Sequence, residues 1–242
     1  MTWVYANLEA LSHAAAGIWV QQARQAIRTR GWFSVVLSGG HTPRRMYELL
    51  AEPPLRDRVP WTQVHVFWGD ERCVPPNDSR SNEHMARQAL LDLVPIPPEQ
   101  VHPIRCARSA REAAEQYEAV LRAFFKDQAP RFDLVLLGLG ENGHTASLFP
   151  GMPVLDEQER WVAEVYVIQQ DLYRVTLATP LINQAMLVVF LVTGTAKAPV
   201  LRQVLEGPFD PHHLPAQLIR PAHGDLYWLI DQEAGSLIRR RA

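Results

Sequence analysis

His144 sits among three glycines, Gly138, Gly140 and Gly143, just after the apolar run Leu134–Leu137. Histidine is the side chain whose ordinary titration falls near neutral pH, so it can hold or release a proton there. Glycines around it let the backbone turn sharply or approach a ligand. A lone histidine is most often a cap or a packed core residue. Here the glycine cluster and the place past a short buried strand favour a base acting on something bound. Open α/β sheets take their ligands at the C-terminal ends of their strands. The stretch 132–151, FDLVLLGLGENGHTASLFPG, is the one that the rest of the chain is organised around.

Three further groups of residues fall at the same kind of junction. Ser38, Gly39, Gly40, His41 and Thr42 lie between a β-branched and aromatic run, Phe33–Leu37, and a helical stretch at 44–51. Thr42 is the expected N-cap of that helix and Pro43 its first residue, where a missing N–H is harmless. A strand, two glycines and a helix N-terminus form an anion site, because free N–H groups and the positive end of the dipole converge. A plain tight turn accounts for the glycines equally well. Asp70, Glu71 and Arg72 follow the run Val64–Trp68. Such a triplet is ordinarily a solvated charge run, but its strand-end place gives it a site role. The planar fork of Arg72 suits a phosphate or an oxyanion. Lys197 lies in Gly194-Thr195-Ala196-Lys197, another strand-to-helix junction. A surface lysine on a first helical turn would be unfavourable with the dipole, which favours a role toward an anion.

The elements that must position these groups alternate along the chain. Long helices are expected over Leu8–Arg30, ended by Gly31, and over 109–128, opened by Ser109 and Glu112 in capping-box spacing. Shorter helices are expected over 83–91, after the loop CVPPNDSRSN, and from Lys197 to about 205. Strands are expected at Phe33–Leu37, Val64–Trp68, Leu134–Leu137, 161–167, 174–179, 186–193 and 226–230, with a closing helix at 234–240. There is no internal repeat or linker. The alternation indicates one α/β domain over residues 1–242, with a mostly parallel sheet covered on both faces.

A net charge of −2 without a basic run argues against nucleic acid as the main partner. No apolar run nears the ~20 residues that span a bilayer, so no membrane partner is expected. MTWVYANLEA lacks the basic-then-apolar pattern of an export signal. Cys73 and Cys106 have no metal-type spacing, and a lone pair is weak evidence for a disulfide. Reduced thiols in a cytoplasmic protein are therefore expected. His212 and His213 have no third ligand at recognisable spacing and read as surface histidines rather than a metal site. The sequence specifies no oligomeric state, and a monomer is compatible with it.

Five segments converge on one family: LSGGHTP (37–43), GDERCVPPNDSRSN (69–82), LVLLGLGENGHTASLFPG (134–151), VTLATPLIN (175–183) and TGTAKA (193–198). In this order, and over nearly the full length, the chain resembles the 6-phosphogluconolactonases of the pentose phosphate pathway. The run GHTASLFPG is specific by itself. The resemblance implies a three-layer, Rossmann-like α/β fold shared with glucosamine-6-phosphate deaminases and ribose-5-phosphate isomerases. It implies hydrolysis of the small sugar-phosphate lactone 6-phospho-D-glucono-1,5-lactone to 6-phosphogluconate, with neither metal nor organic cofactor. On it, His144 matches the general base, Gly39 to Thr42 the phosphate loop, and Arg72 and Lys197 basic residues around the substrate. Two positions depart from the family. His41 stands where a hydroxyl residue is common, and Asn142 stands two residues before the histidine where aspartate is common.

The residues agree with that chemistry. Lactone hydrolysis needs a base for water, donors for the oxyanion and a remote handle for the ring. His144 supplies the first, Arg72 or the glycine-loop amides the second, and a phosphate on residues 38–42 the third. Arg174 is an alternative contact for phosphate or carbonyl, or a structural residue at the start of a strand. Asp70 and Glu141 are alternative partners for His144. An aminosugar-phosphate deaminase or isomerase would carry a carboxylate soon after the histidine, and TASLFPG has none. A non-catalytic sugar-phosphate sensor would keep the pocket without turnover.

Overall fold

The computed structural model describes residues 1–126 and 128–239. Six strands form a parallel sheet in the order β1 (Thr2–Tyr5), β9 (Asp225–Asp231), β8 (Leu187–Val192), β5 (Leu134–Leu137), β2 (Phe33–Leu37) and β3 (Val64–Trp68). Every residue of β2, β5 and β8 is buried, which explains why these segments read as continuous apolar runs rather than alternating ones. Strand β1 is absent from the sequence reading because TWVY is short and mostly exposed at the sheet edge. Its register comes from pairing with β9, reinforced by Trp3 packing edge-on against Tyr227 at 4.5 Å.

The chain builds β2 and β3 toward one edge, then returns to add β5, β8 and β9 on the other side of β2. The connections after β2 and β5 therefore diverge, and a crevice opens beyond their C-terminal ends. A second sheet lies at that end. It is antiparallel, in the order β4 (Asp70–Arg72), β7 (Leu172–Leu177) and β6 (Val162–Val167). The strands expected near 161–167 and 174–179 thus exist but stand outside the parallel sheet, and the charged triplet after β3 is their third partner. Gly69 joins the two sheets: its N–H donates to the Leu37 carbonyl at 2.9 Å, and its own carbonyl accepts from the Leu177 N–H at 2.8 Å. Hydrophobic periodicity marks a strand but does not name its neighbour.

Helix α1 (Leu8–Arg30) opens with the Asn7 side chain accepting from the Ala10 N–H at 3.0 Å and closes at left-handed Gly31. Its buried face, including Leu11, Ala15, Trp19 and Ala23, packs beside α2 (His41–Ala51). Helix α2 begins earlier than 44–51. Gly40, at φ 105°, takes the cap position, and Thr42 bonds Thr193 at 2.7 Å instead of capping. The helix expected at 83–91 is α3 (Asn82–Ala86) followed by a wider π turn, Arg87–Leu91. Helix α4 (Ala110–Phe125) is capped by Ser109 and packs against the antiparallel sheet. The short α5 (Thr179–Ile182) and α6 (Ala198–Glu206) follow β7 and β8. Residues 232–237 form turns rather than the expected closing helix, and residue 240 lies outside the described residues. Among the described residues no helix is long and apolar enough to cross a membrane.

Two buried tyrosines hold the strand ends that frame the crevice. The Tyr47 hydroxyl of α2 accepts from the Ser38 N–H at 3.1 Å and donates to the Ser38 carbonyl at 2.9 Å. Tyr117 of α4 does the same for Trp68, at 2.8 and 3.1 Å. Each satisfies backbone groups that the ladder no longer reaches, where orphaned buried groups would be costly.

Candidate active site

The segments leaving β2, β3, β5 and β8 meet around a cavity of about 200 Å³. Ser38 and Gly39, Asp70 and Arg72, His144, and Lys197 line it, one group from each. Gly40, His41 and Thr42 do not: His41 is exposed on the first turn of α2, and Thr42 is engaged with Thr193. Of the expected anion loop, Ser38 and Gly39 line the cavity, and Gly40 to Thr42 form the N-terminal end of α2 beside it.

Glycine is required at two of these positions by close approach. A Cβ on Gly39 would lie 1.8 Å from Asn82 Oδ1, and one on Gly140 would lie 2.0 Å from the His144 ring. The glycine cluster around His144 thus brings backbone against the imidazole face, while Phe149 stacks on the ring at 4.3 Å between centroids.

Asn142 sets the protonation of that imidazole. Its Oδ1 lies 2.5 Å from His144 Nδ1 and also accepts from the His144 backbone N–H at 3.3 Å. A backbone N–H can only donate, so the amide presents oxygen, and Nδ1 must carry the ring proton. Nε2 is left with its lone pair. His144 is half-buried, and burial pushes its pKa down to about 4; Asp70 opposes this, while Arg174, Lys197 and Arg72 reinforce it. Glu141 is exposed and faces Lys197 at 3.7 Å, rather than bonding the histidine.

The carboxylates of the charged triplet have separate tasks. Buried Asp70 accepts from Ser147 Oγ at 2.7 Å and from Asn82 Nδ2 at 3.2 Å, and faces Arg174 Nη1 at 3.5 Å. Glu71 accepts from the backbone N–H groups of Arg72, Asn82 and Glu83 at 2.7 Å and from Ser81 Oγ at 3.0 Å. It is a peg that fastens the loop between β4 and α3, not a cavity group.

Arg72 and Arg174 lie directly opposite each other in the β4–β7 register. Arg174 is 5% exposed, and the Nε atoms of both arginines are buried without a hydrogen-bond partner among the described residues. Two guanidinium groups side by side with unused N–H donors suit an anion held by a planar fork.

Cys73, next to Arg72, is joined to Cys106 in a disulfide, with 5.2 Å between the Cα atoms. This corrects the expectation of reduced thiols. The Cys73 N–H donates to the Tyr173 carbonyl at 2.9 Å, extending the antiparallel pairing and carrying the residue to the segment before α4. Spacing along the chain does not reveal that proximity.

The chain matches the family model described as Glucosamine-6-phosphate isomerases/6-phosphogluconolactonase over residues 6–228. It is 45% identical over 219 residues to a 6-phosphogluconolactonase of Synechocystis sp., covering 89% of this chain and 88% of that one. It is 36% identical over 250 residues to probable 6-phosphogluconolactonase 1 of Arabidopsis thaliana, covering 98% and 93%. The chain belongs to this family. The solved structure of 6-phosphogluconolactonase from Trypanosoma brucei superposes with a TM-score of 0.88 at 29% identity, covering 99% of this chain and 98% of that one. A monomeric glucosamine-6-phosphate deaminase gives 0.84 at 20% identity, covering 98% and 99%, and shares the fold.

Within this family fold two residues not singled out from sequence, Asn82 in the cavity wall and Ser147 buried behind it, support the site, and Arg174, left open between a site role and a structural one, lines it. Asn82 fills the space that Gly39 leaves and ties it to Asp70; Ser147 orients the same carboxylate; Arg174 completes the arginine pair. Asn82 and Ser147 lie inside the motif segments but carry no charge to draw notice. Arg174 opens an expected strand, and only the antiparallel partner reveals which face it serves.

Proposed function

We propose that this chain hydrolyses 6-phospho-D-glucono-1,5-lactone to 6-phosphogluconate, with His144 as general base. The observation that carries the reading is the His144–Asn142 pair, which leaves Nε2 unprotonated in a cavity rimmed by Arg72, Arg174 and Lys197. Water attacks the lactone carbonyl carbon through its oxygen, and Nε2 takes the proton. The Arg72 guanidinium or loop N–H donors stabilise the oxyanion of the tetrahedral intermediate. Collapse breaks the bond from that carbon to the ring oxygen, which receives the proton back from the imidazolium and becomes a hydroxyl. The phosphate, drawn to the α2 end of the cavity and its cations, orients the ring, so remote binding energy serves the reacting centre.

Aminosugar-phosphate chemistry is less well served. It needs a free carboxylate at the reacting carbon, and Asp70 is already engaged by Ser147, Asn82 and Arg174.

The test is acid release from lactone generated in situ, corrected for spontaneous opening. The protein should accelerate opening of the phosphorylated lactone and act very poorly on unphosphorylated gluconolactone. His144→Ala should lower kcat roughly 10²–10⁴-fold, the usual contribution of a positioned base. No acceleration by the parent protein, or undiminished turnover in His144→Ala, would overturn the reading.

A further inference from the structure

We infer that Gln170, at the tip of the β6–β7 hairpin, is a positioning residue that holds Arg174 in the orientation used to bind the substrate's phosphate; the inference rests on the lactonase reading above. Strands β6 and β7 run in register to Val167 and Leu172, and the tip between them is a tight turn, Ile168–Gln170, closed by Asp171 in the left-handed region at φ 47°. Tyr166 donates from its hydroxyl to the Asp171 carboxylate and packs on Tyr173 across the hairpin at 4.8 Å. The tip is thus held by its own contacts. It delivers the Gln170 side chain to Arg174, whose Nη2 donates to Gln170 Oε1 at 2.5 Å.

Arg174 needs such a partner. It is buried, has Arg72 directly opposite, and has Asp70 at 3.5 Å as its nearest carboxylate. Attraction to Asp70 and repulsion from Arg72 both act on the fork, and neither fixes its far end. The amide of Gln170 accepts from Nη2 while Asp70 faces Nη1, so it fixes the end of the fork that Asp70 does not hold. It does so without negative charge, so the positive charge remains for an incoming anion. A carboxylate in its place would pair with the guanidinium in the fork geometry that phosphate requires.

The experiment compares the full-length protein with Gln170→Ala, Gln170→Asn and Gln170→Glu. Readouts are kcat and KM for the phosphorylated lactone, inhibition by inorganic phosphate, and calorimetric binding of 6-phosphogluconate. Gln170→Ala should raise KM and the phosphate inhibition constant together by about tenfold, the scale of one hydrogen bond to a charged group, with kcat within about twofold. Gln170→Asn keeps the amide but shortens its reach, and should resemble alanine. Gln170→Glu should weaken phosphate more than alanine does, because it cancels charge as well as altering geometry. A merely structural tip would lower thermal stability in all three variants without separating glutamate from alanine. Unchanged KM and phosphate inhibition, glutamate equal to alanine, or a loss confined to kcat would each overturn the inference. Should the parent protein show no turnover, the lactonase reading fails by itself, and calorimetry still decides whether Gln170 governs phosphosugar binding.

Discussion

The side-chain oxygen of Asn142 receives both the ring Nδ1–H and the backbone N–H of His144, at 2.5 and 3.3 Å. A carboxamide there fixes the tautomer as a carboxylate would, but contributes no charge to hold a proton on the ring. Burial acts in the opposite sense, and the arginines and lysine around the cavity add to it.

The first prediction concerns that balance. By NMR titration the His144 ring in the free protein should have a pKa near 4, well below the 6.5 of an exposed histidine. Saturating 6-phosphogluconate should raise it, because the phosphate offsets the cations that oppose protonation. Asn142→Asp should raise it in both states, and Glu141→Gln should leave it unchanged, since Glu141 faces Lys197 instead. The sign for stability follows. Between pH 6.5 and about 4 the unfolded chain takes up a proton at His144 that the folded chain refuses, so stability falls as pH drops through that window. An Asn142→Asp titration superimposable on the parent's would dissociate the two side chains.

The second prediction tests the close approach between Gly39 and Asn82. Asn82 is buried and donates to both the carbonyl and the carboxylate of Asp70, at 2.9 and 3.2 Å. It cannot withdraw from a methyl group placed 1.8 Å from its oxygen without breaking those bonds. Gly39→Ala should therefore raise KM for the phosphorylated lactone at least tenfold. Combined with Asn82→Gly, it should do less harm than the two single changes multiplied, since the clash is then gone. Simple additivity in the double-mutant cycle would show that the two residues do not meet.

Much of this arrangement was legible in the sequence, and the reason is local. Gly31, Ser109 and the buried apolar runs of β2, β5 and β8 each specify their element through neighbours along the chain. The loops leaving those strands then had to meet, which placed Ser38, Gly39, His144 and Lys197 together. What escaped depends on pairing across the fold. The antiparallel sheet sets Arg174 opposite Arg72, yet a six-residue strand, Leu172–Leu177, fits either sheet by pattern alone. Thr42 looked like a cap because threonine favours that position, but Gly40 at positive φ starts the helix earlier and frees the hydroxyl for Thr193. Charge drew notice to Glu71, whereas its four hydrogen bonds make it a fastening for the loop.

The last prediction follows from the bond between Cys73 and Cys106. It links residues 33 apart in sequence, and closing a loop of that length in the unfolded chain corresponds to about 3–4 kcal/mol of stability in the chain-entropy account. Dithiothreitol, or Cys106→Ser, should accordingly move the urea midpoint downward, and Cys106→Ser should then be insensitive to the reductant. The effect should reach the cavity as well. Cys73 follows Arg72, and the Arg72 guanidinium donates from Nη1 to the Arg80 carbonyl at 2.5 Å, within the loop that the disulfide anchors. Loosening that loop should raise KM several-fold in the parent protein, and much less in Arg72→Ala, where the link to Arg80 is already gone. The decisive control is a thiol titration of protein unfolded without reductant. No free thiol should react, whereas recovery of both cysteines as thiols would show that the bridge is not formed in solution.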